Sequence, residues 1–157
     1  LTHRFLTDKF KTDTMMTMGA NLFVHYLEVE DKRVNLQLWD FGGEKQFQFL
    51  LPSYARGSNG GIFMFDLTRT STLLNVDQWL STFKGALEED ERGIPLMLVG
   101  GKSDLEDQRS VDEKHAMDVL KGRKFTKYFE CSSKTGENIT EIFEKLTRAC
   151  LVRAGMI

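Results

Sequence analysis

Apolar and polar residues alternate through Val34, Leu36 and Leu38, the signature of a strand with one buried face. Leu22 to Val29 predicts a partner strand, and Asp31-Lys32 between them supplies a hairpin turn. Two continuous apolar runs follow, Gly60 to Leu67 (GGIFMFDL) and Pro95 to Gly100 (PLMLVG). Such runs mark strands covered on both faces. Lys127 to Cys131 (KYFEC) gives a fifth, weaker strand. Helical spacing fills the intervals. Val76, Trp79, Leu80, Phe83 and Leu87 recur at three- and four-residue steps within Leu74 to Glu89. Val111 to Leu120 repeats this less regularly, and Ile139, Ile142, Phe143, Leu146 and Cys150 stripe a last helix. Leu1 to Phe10 reads as the tail of another helix.

Strands alternating with helices predict an α/β fold, a doubly wound, mostly parallel sheet with helices on both faces. With no repeat, linker or low-complexity stretch, residues 1–157 form a single domain. Ligands of such sheets bind at the carboxyl ends of the strands. Three unusual segments fall there: Asp40-Phe41-Gly42-Gly43, Gly101-Lys102-Ser103-Asp104 and Ser132-Ser133-Lys134.

Each segment has a chemical reading and a plainer one. Asp40 ends a strand before two glycines, and its carboxylate can hold magnesium against a polyphosphate. Gly43 offers a terminal phosphate a backbone N–H with no side chain in the way, although glycines also serve ordinary turns. Asp104 can accept the N1–H and exocyclic amine of guanine as a pair that adenine lacks, while the Lys102 stem lies along the base. A solvated charged loop has the same composition. Backbone N–H groups of Ser132 and Ser133 can meet the guanine carbonyl and Lys134 can flank the base, or the segment can simply cap the next helix.

Taken together, in this order and at strand ends, the segments resemble those of a Ras-superfamily small GTPase, and the likeness covers nearly all of the chain. Leu36-Gln37-Leu38-Trp39-Asp40 and Ser53-Tyr54-Ala55-Arg56-Gly57 are most similar to the Rab branch, and Gly42-Gly43 resembles the Arf pattern. The resemblance implies a small G domain, a six-stranded sheet of the P-loop NTPase type, that binds GTP or GDP with Mg²⁺, hydrolyses GTP and switches effector proteins. It assigns Asp40 and Thr17 to the metal, with Thr12 and Thr14 as nearby competitors of Thr17. It assigns Gly43 to the terminal phosphate, and Gly101, Lys102, Asp104, Ser132, Ser133 and Lys134 to the base. Glu44 stands where the family usually has the glutamine that orients the attacking water. That implies slow hydrolysis, or a pseudo-GTPase binding module. Gly101 replaces an asparagine that ties the base loop to the phosphate loop, implying a more weakly held nucleotide.

The Gly-rich phosphate loop and the strand before it are absent from the sequence, which begins at Leu1, so an N-terminally truncated domain is expected. The two switch loops implied are about Thr12 to Leu22 and Gly42 to Tyr54. The first clusters Met15, Met16 and Met18, suited either to adaptable contacts or to plugging the core edge. The second carries Phe47, Phe49, Leu50 and Leu51, an apolar patch if exposed. Trp39 and Tyr54 match effector-surface aromatics of Rab-like members, whereas Leu22 departs from a third.

Charge adds a boundary. With 21 basic and 23 acidic residues the net charge is −2, which gives no electrostatic case for nucleic acid. Two cysteines without metal-like spacing fit reduced cytosolic thiols. The expected partners are guanine nucleotide and effector, exchange-factor and GTPase-activating proteins. The expected location is cytoplasmic, peripheral on a membrane only through a tail outside this sequence.

Overall fold

At the centre lies β4 (Leu96–Gly101), and every one of its residues is buried. Alternation divides it between two helical layers. Leu96 packs with Leu51, Leu80 and Phe83, and Leu98 with Phe65, Leu73, Val111 and Ala116. Met97 and Val99 point the other way, to Phe129, Ile139 and Ile142. This is the two-sided burial that the continuous apolar run predicts. The computed structural model describes residues 1–12, 17–88 and 93–157. Thr14, Met15 and Met16 lie outside the described residues.

β3 (Gly61–Asp66) and β5 (Lys127–Cys131) pair in parallel on either side of β4. The register sets Asp66 opposite Gly101 and Gly101 opposite Cys131, so the carboxyl ends of all three strands are flush. Short α2 (Leu51–Ala55) and α3 (Thr70–Leu74), with α4 (Val76–Ala86) and α5 (Glu113–Leu120), cover one face. α1 (Thr2–Thr7) and α6 (Ile139–Arg153) cover the other. The helical stretch expected over 74–89 begins earlier, breaks at Asn75 and stops at Ala86. It stops because Leu87 turns extended and is buried in the core instead of continuing the spiral.

β1 (Ala20–Val29) and β2 (Lys32–Phe41) form an antiparallel hairpin. Its two-residue turn is Glu30-Asp31, one position earlier than expected, with φ of 47° and 61°. Two left-handed residues in succession match the strand twist of a tight hairpin, and an acidic residue tolerates that conformation. Where the resemblance implies a single six-stranded sheet, the described residues hold five strands. The hairpin shares no ladder with the parallel sheet. A cleft of about 2450 Å³ runs between β2 and β3, floored by α6. Phe5 of α1 joins α6 to the hairpin, stacked 3.8 Å from Phe143 and edge-on to His25. No helix among the described residues is long and apolar enough to cross a membrane.

Candidate functional site

Parallel strands deliver their carboxyl ends, and the loops that follow them, to one rim of this cleft. β4 ends at Gly101, and Lys102 then takes a left-handed φ of 69°. That conformation is uncommon outside glycine and, for a lysine, has to be held by its surroundings. Ser103 is tied to the β5 side: its N–H reaches the Cys131 carbonyl at 3.0 Å and its hydroxyl donates to Glu137 Oε2 at 2.6 Å. The hydroxyl of fully buried Ser132 donates to Asp104 Oδ1 at 2.5 Å and accepts the Thr135 N–H at 3.0 Å. One oxygen of Asp104 is therefore pinned, and the half-buried carboxylate is fixed in direction. Ser133 is half-buried and Lys134 exposed at the same rim. Arg4 of α1 closes this loop from behind, donating to the Thr135 carbonyl at 3.3 Å.

The opposite rim comes from the end of β2. Asp40 pairs in register with Asn21, and Gly42 N–H reaches the Gly19 carbonyl at 2.9 Å. Thr17 is drawn against this turn: a Cβ on Gly42 would lie 2.1 Å from its carbonyl oxygen. Gly42 is thus glycine because another backbone occupies the space. Gly43 is different, since a Cβ there meets nothing within 4 Å. The fold therefore does not demand glycine at Gly43.

Burial pushes the Asp40 carboxyl above the ordinary carboxylate range, and the charge of the Leu1 amino group and the Thr2 hydroxyl only partly offset that. A carboxylate so placed favours a cation arriving with a polyanion. Glu44 lines the cleft beside Gly43, and the Gln46 amide donates to its carboxylate. Thr17, Asp40, Gly43, Glu44, Gly101, Lys102, Asp104, Ser133 and Lys134 all line the one cleft, while Ser132 lies beneath it.

The remaining predicted residues form an outer surface. Trp39 and Tyr54 meet with ring centroids 4.5 Å apart, and Trp39 stays 40% exposed. Leu22 stands opposite Trp39 in the hairpin and is exposed too. Met18 points to solvent at 79% exposure, so it does not plug the core. Phe47 is half-buried against Gly42, Leu51 is core, and Phe49 is exposed.

One site residue escaped the sequence reasoning. Asp66 ends β3 much as Asp40 stands one residue from the end of β2, yet it read as the tail of an apolar run. It is buried, and four donors converge on its carboxylate. Thr68 N–H and hydroxyl bond Oδ1 at 2.9 and 2.6 Å; Arg69 Nε and Lys102 Nζ bond Oδ2 at 3.0 and 2.8 Å. Burial alone would raise its pKa, but Lys102 and Thr68 outweigh that and hold it down at about 2. The available signal was its position, a carboxylate at the end of a strand flanking β4.

The family model described as "Ras family" matches residues 1–152. Ras-related protein Rab-13 of Rattus norvegicus is 31% identical over 152 residues, spanning 97% of this chain and 73% of that protein. Rab-13 of Canis lupus familiaris is 30% identical over the same length and shares. Ras-related protein Rab-4 of Dictyostelium discoideum is 32% identical over 153 residues, 98% of this chain and 73% of that protein.

Proposed function

Since the chain belongs to the Ras family of small GTPases and stands near its Rab branch, we propose that it binds GTP and GDP with Mg²⁺, hydrolyses GTP and switches effector proteins. The observation that carries this is the Ser132–Asp104 bond. It presents a carboxylate of fixed direction, with one oxygen already engaged, at the carboxyl end of a parallel sheet. Such a group accepts the paired donors of guanine and offers adenine no match. The Lys102 stem and Lys134 would flank the base and the Ser133 N–H would face its carbonyl, the Ser132 N–H being taken by the Glu137 carbonyl at 3.2 Å.

Thr17 and Gly43 answer the terminal phosphate. They are already adjacent through Gly42, so a phosphate bonding the Gly43 N–H would draw the Thr17 loop shut. Asp40 and the Thr17 hydroxyl would hold the magnesium ion, one carboxylate sufficing because the phosphates supply the remaining charge. Bound there, the ion neutralises charge on the phosphates. Glu44 would face the attacking water with an acceptor only, which implies slow turnover. Met18, Trp39, Phe47 and Tyr54 form the surface an effector reads as both loops order. Glu44 is also the observation that favours the rival reading, a pseudo-GTPase that binds without hydrolysing.

Denaturing the purified full chain and identifying the released nucleotide tests the binding proposal, with guanine nucleotide expected. Preference for ATP, or no uptake of either purine triphosphate with Mg²⁺, refutes it. Single-turnover hydrolysis then separates the switch from the pseudo-GTPase.

A further inference from the structure

Lys102 is the least comfortable residue at the base rim. Its backbone is left-handed without being glycine, a state that surrounding interactions have to hold. Its neighbours Ser103 and Asp104 are both tied toward the β5 side, through Glu137, Cys131 and Ser132. Gly101 has no side chain to tie. Toward the β3 side the Gly101 carbonyl accepts the Leu67 N–H at 3.1 Å, and the side-chain tether is the 2.8 Å bond from Lys102 Nζ to Asp66 Oδ2. The parallel register makes this tether short, because Asp66 pairs with Gly101 itself. Asp66 is in turn immobilised, with Thr68 on its other oxygen and only 9% of its side chain exposed.

We propose that Asp66 is a positioning residue for base recognition: its buried carboxylate holds the Lys102 side chain, and with it the turn that presents Asp104. The inference rests on the guanine-nucleotide reading of the site and goes beyond it by adding a residue that does not touch the base. The Nζ–Asp66 bond fixes the far end of the Lys102 stem, so that it would lie along the base face instead of wandering in solvent. The charge that Asp66 carries at neutral pH keeps that bond charge-assisted.

A double-mutant cycle on the dissociation constant of a fluorescent GDP, using the full chain with Mg²⁺, tests the proposal. Asp66→Asn and Lys102→Ala are each expected to weaken binding about tenfold, the loss typical of a charged hydrogen bond. The double variant should be within about twofold of Lys102→Ala alone, because coupled partners do not add. Arg69→Ala also removes a partner of Asp66, but not Lys102, and should stay within about twofold of the parent. Asp66→Asn at the parent affinity, or losses that multiply in the double variant, overturns the inference while leaving the nucleotide site standing. No GDP binding by the parent overturns both together. Should Asp66→Asn lose its cooperative thermal transition, the same cycle is run with Asp66→Glu. Coupling to Lys102→Ala is again expected there, and additivity again overturns the idea.

Discussion

Two adjacent glycines should respond in opposite ways to the same methyl group. At Gly42 the added Cβ would stand 2.1 Å from the Thr17 carbonyl oxygen and 3.0 Å from Phe47 Cδ2. Real Cβ atoms essentially never come within 3.0 Å, so the Thr17 backbone must retreat by about 0.9 Å. Overpacking of this kind costs about 1–3 kcal/mol. For a domain of this size that lowers Tm by about 3–10 °C. The retreat also moves Thr17 away from Gly43 and Asp40, so Gly42→Ala should lose discrimination between a non-hydrolysable GTP analogue and GDP. Gly43→Ala meets open space and should leave Tm within about 2 °C of the parent. Its cost is confined to the ligand: affinity for the GTP analogue falls while GDP is held as before. Differential scanning calorimetry and competition titration of both variants read the two effects. Equal destabilisation by the two substitutions, or undiminished binding of the GTP analogue by Gly43→Ala, refutes the assignment of Gly42 to packing and Gly43 to phosphate.

Further outcomes follow from the same geometry. Glu44→Gln should raise the single-turnover rate on the order of tenfold, since an amide can both donate to and accept from the water; an unchanged or lower rate removes the argument. Ser132→Ala strands the Asp104 carboxylate and the Thr135 N–H, and should weaken GDP binding about tenfold in the same titration. Gly101→Asn should tighten GDP binding about fivefold, because its Cβ would press only on Met64 Cε at 3.2 Å, the end of a flexible, exposed side chain; no gain counts against a weakened base loop. Asp66 titrates near 2 in the fold and at 3.8 ordinarily. Its contribution of about 2 kcal/mol is therefore complete above pH 4 and lost as pH falls toward 2. Acid unfolding monitored by circular dichroism should lose that slope in Asp66→Asn.

Much of this was legible because burial writes itself into residue type. β4 is covered on both faces, so its apolar run has no polar interruption and is hard to misread. The hairpin alternates because one face turns inward and is half-buried while the other is exposed. Asp104 and Ser132 were also visible as polar residues just past buried strands. What stayed hidden depends on register and on polar geometry, which leave no periodic trace. Asp66 and Lys102 are far apart in sequence, and only the pairing of β3 with β4 brings them together. The true start of the helical stretch is set by Thr72, whose hydroxyl accepts the Asp66 N–H at 2.8 Å. A pattern of apolar residues carries no sign of that bond. The distinction between Gly42 and Gly43 lies entirely in what stands opposite each one.

The hairpin's separation from the parallel ladder bears on how the molecule opens. Val29 is the one buried residue of β1 and β2, whereas β4 is buried throughout. Its fastenings are modest: ring contacts of Phe5 with His25 and of Trp39 and Phe41 with Tyr54, and a half-exposed Arg148–Glu30 pair at 2.6 Å, of a kind that contributes little in water. A lone two-stranded ribbon is marginal by itself. Its amide protons should accordingly trade with deuterium through a shallow, sub-global excursion that low urea hardly alters. Those of β4 should wait for complete unfolding, steeply accelerated by denaturant. The strand that carries Asp40 is then the first part of the architecture to be lent to solvent, and the strand that carries Gly101 is the last.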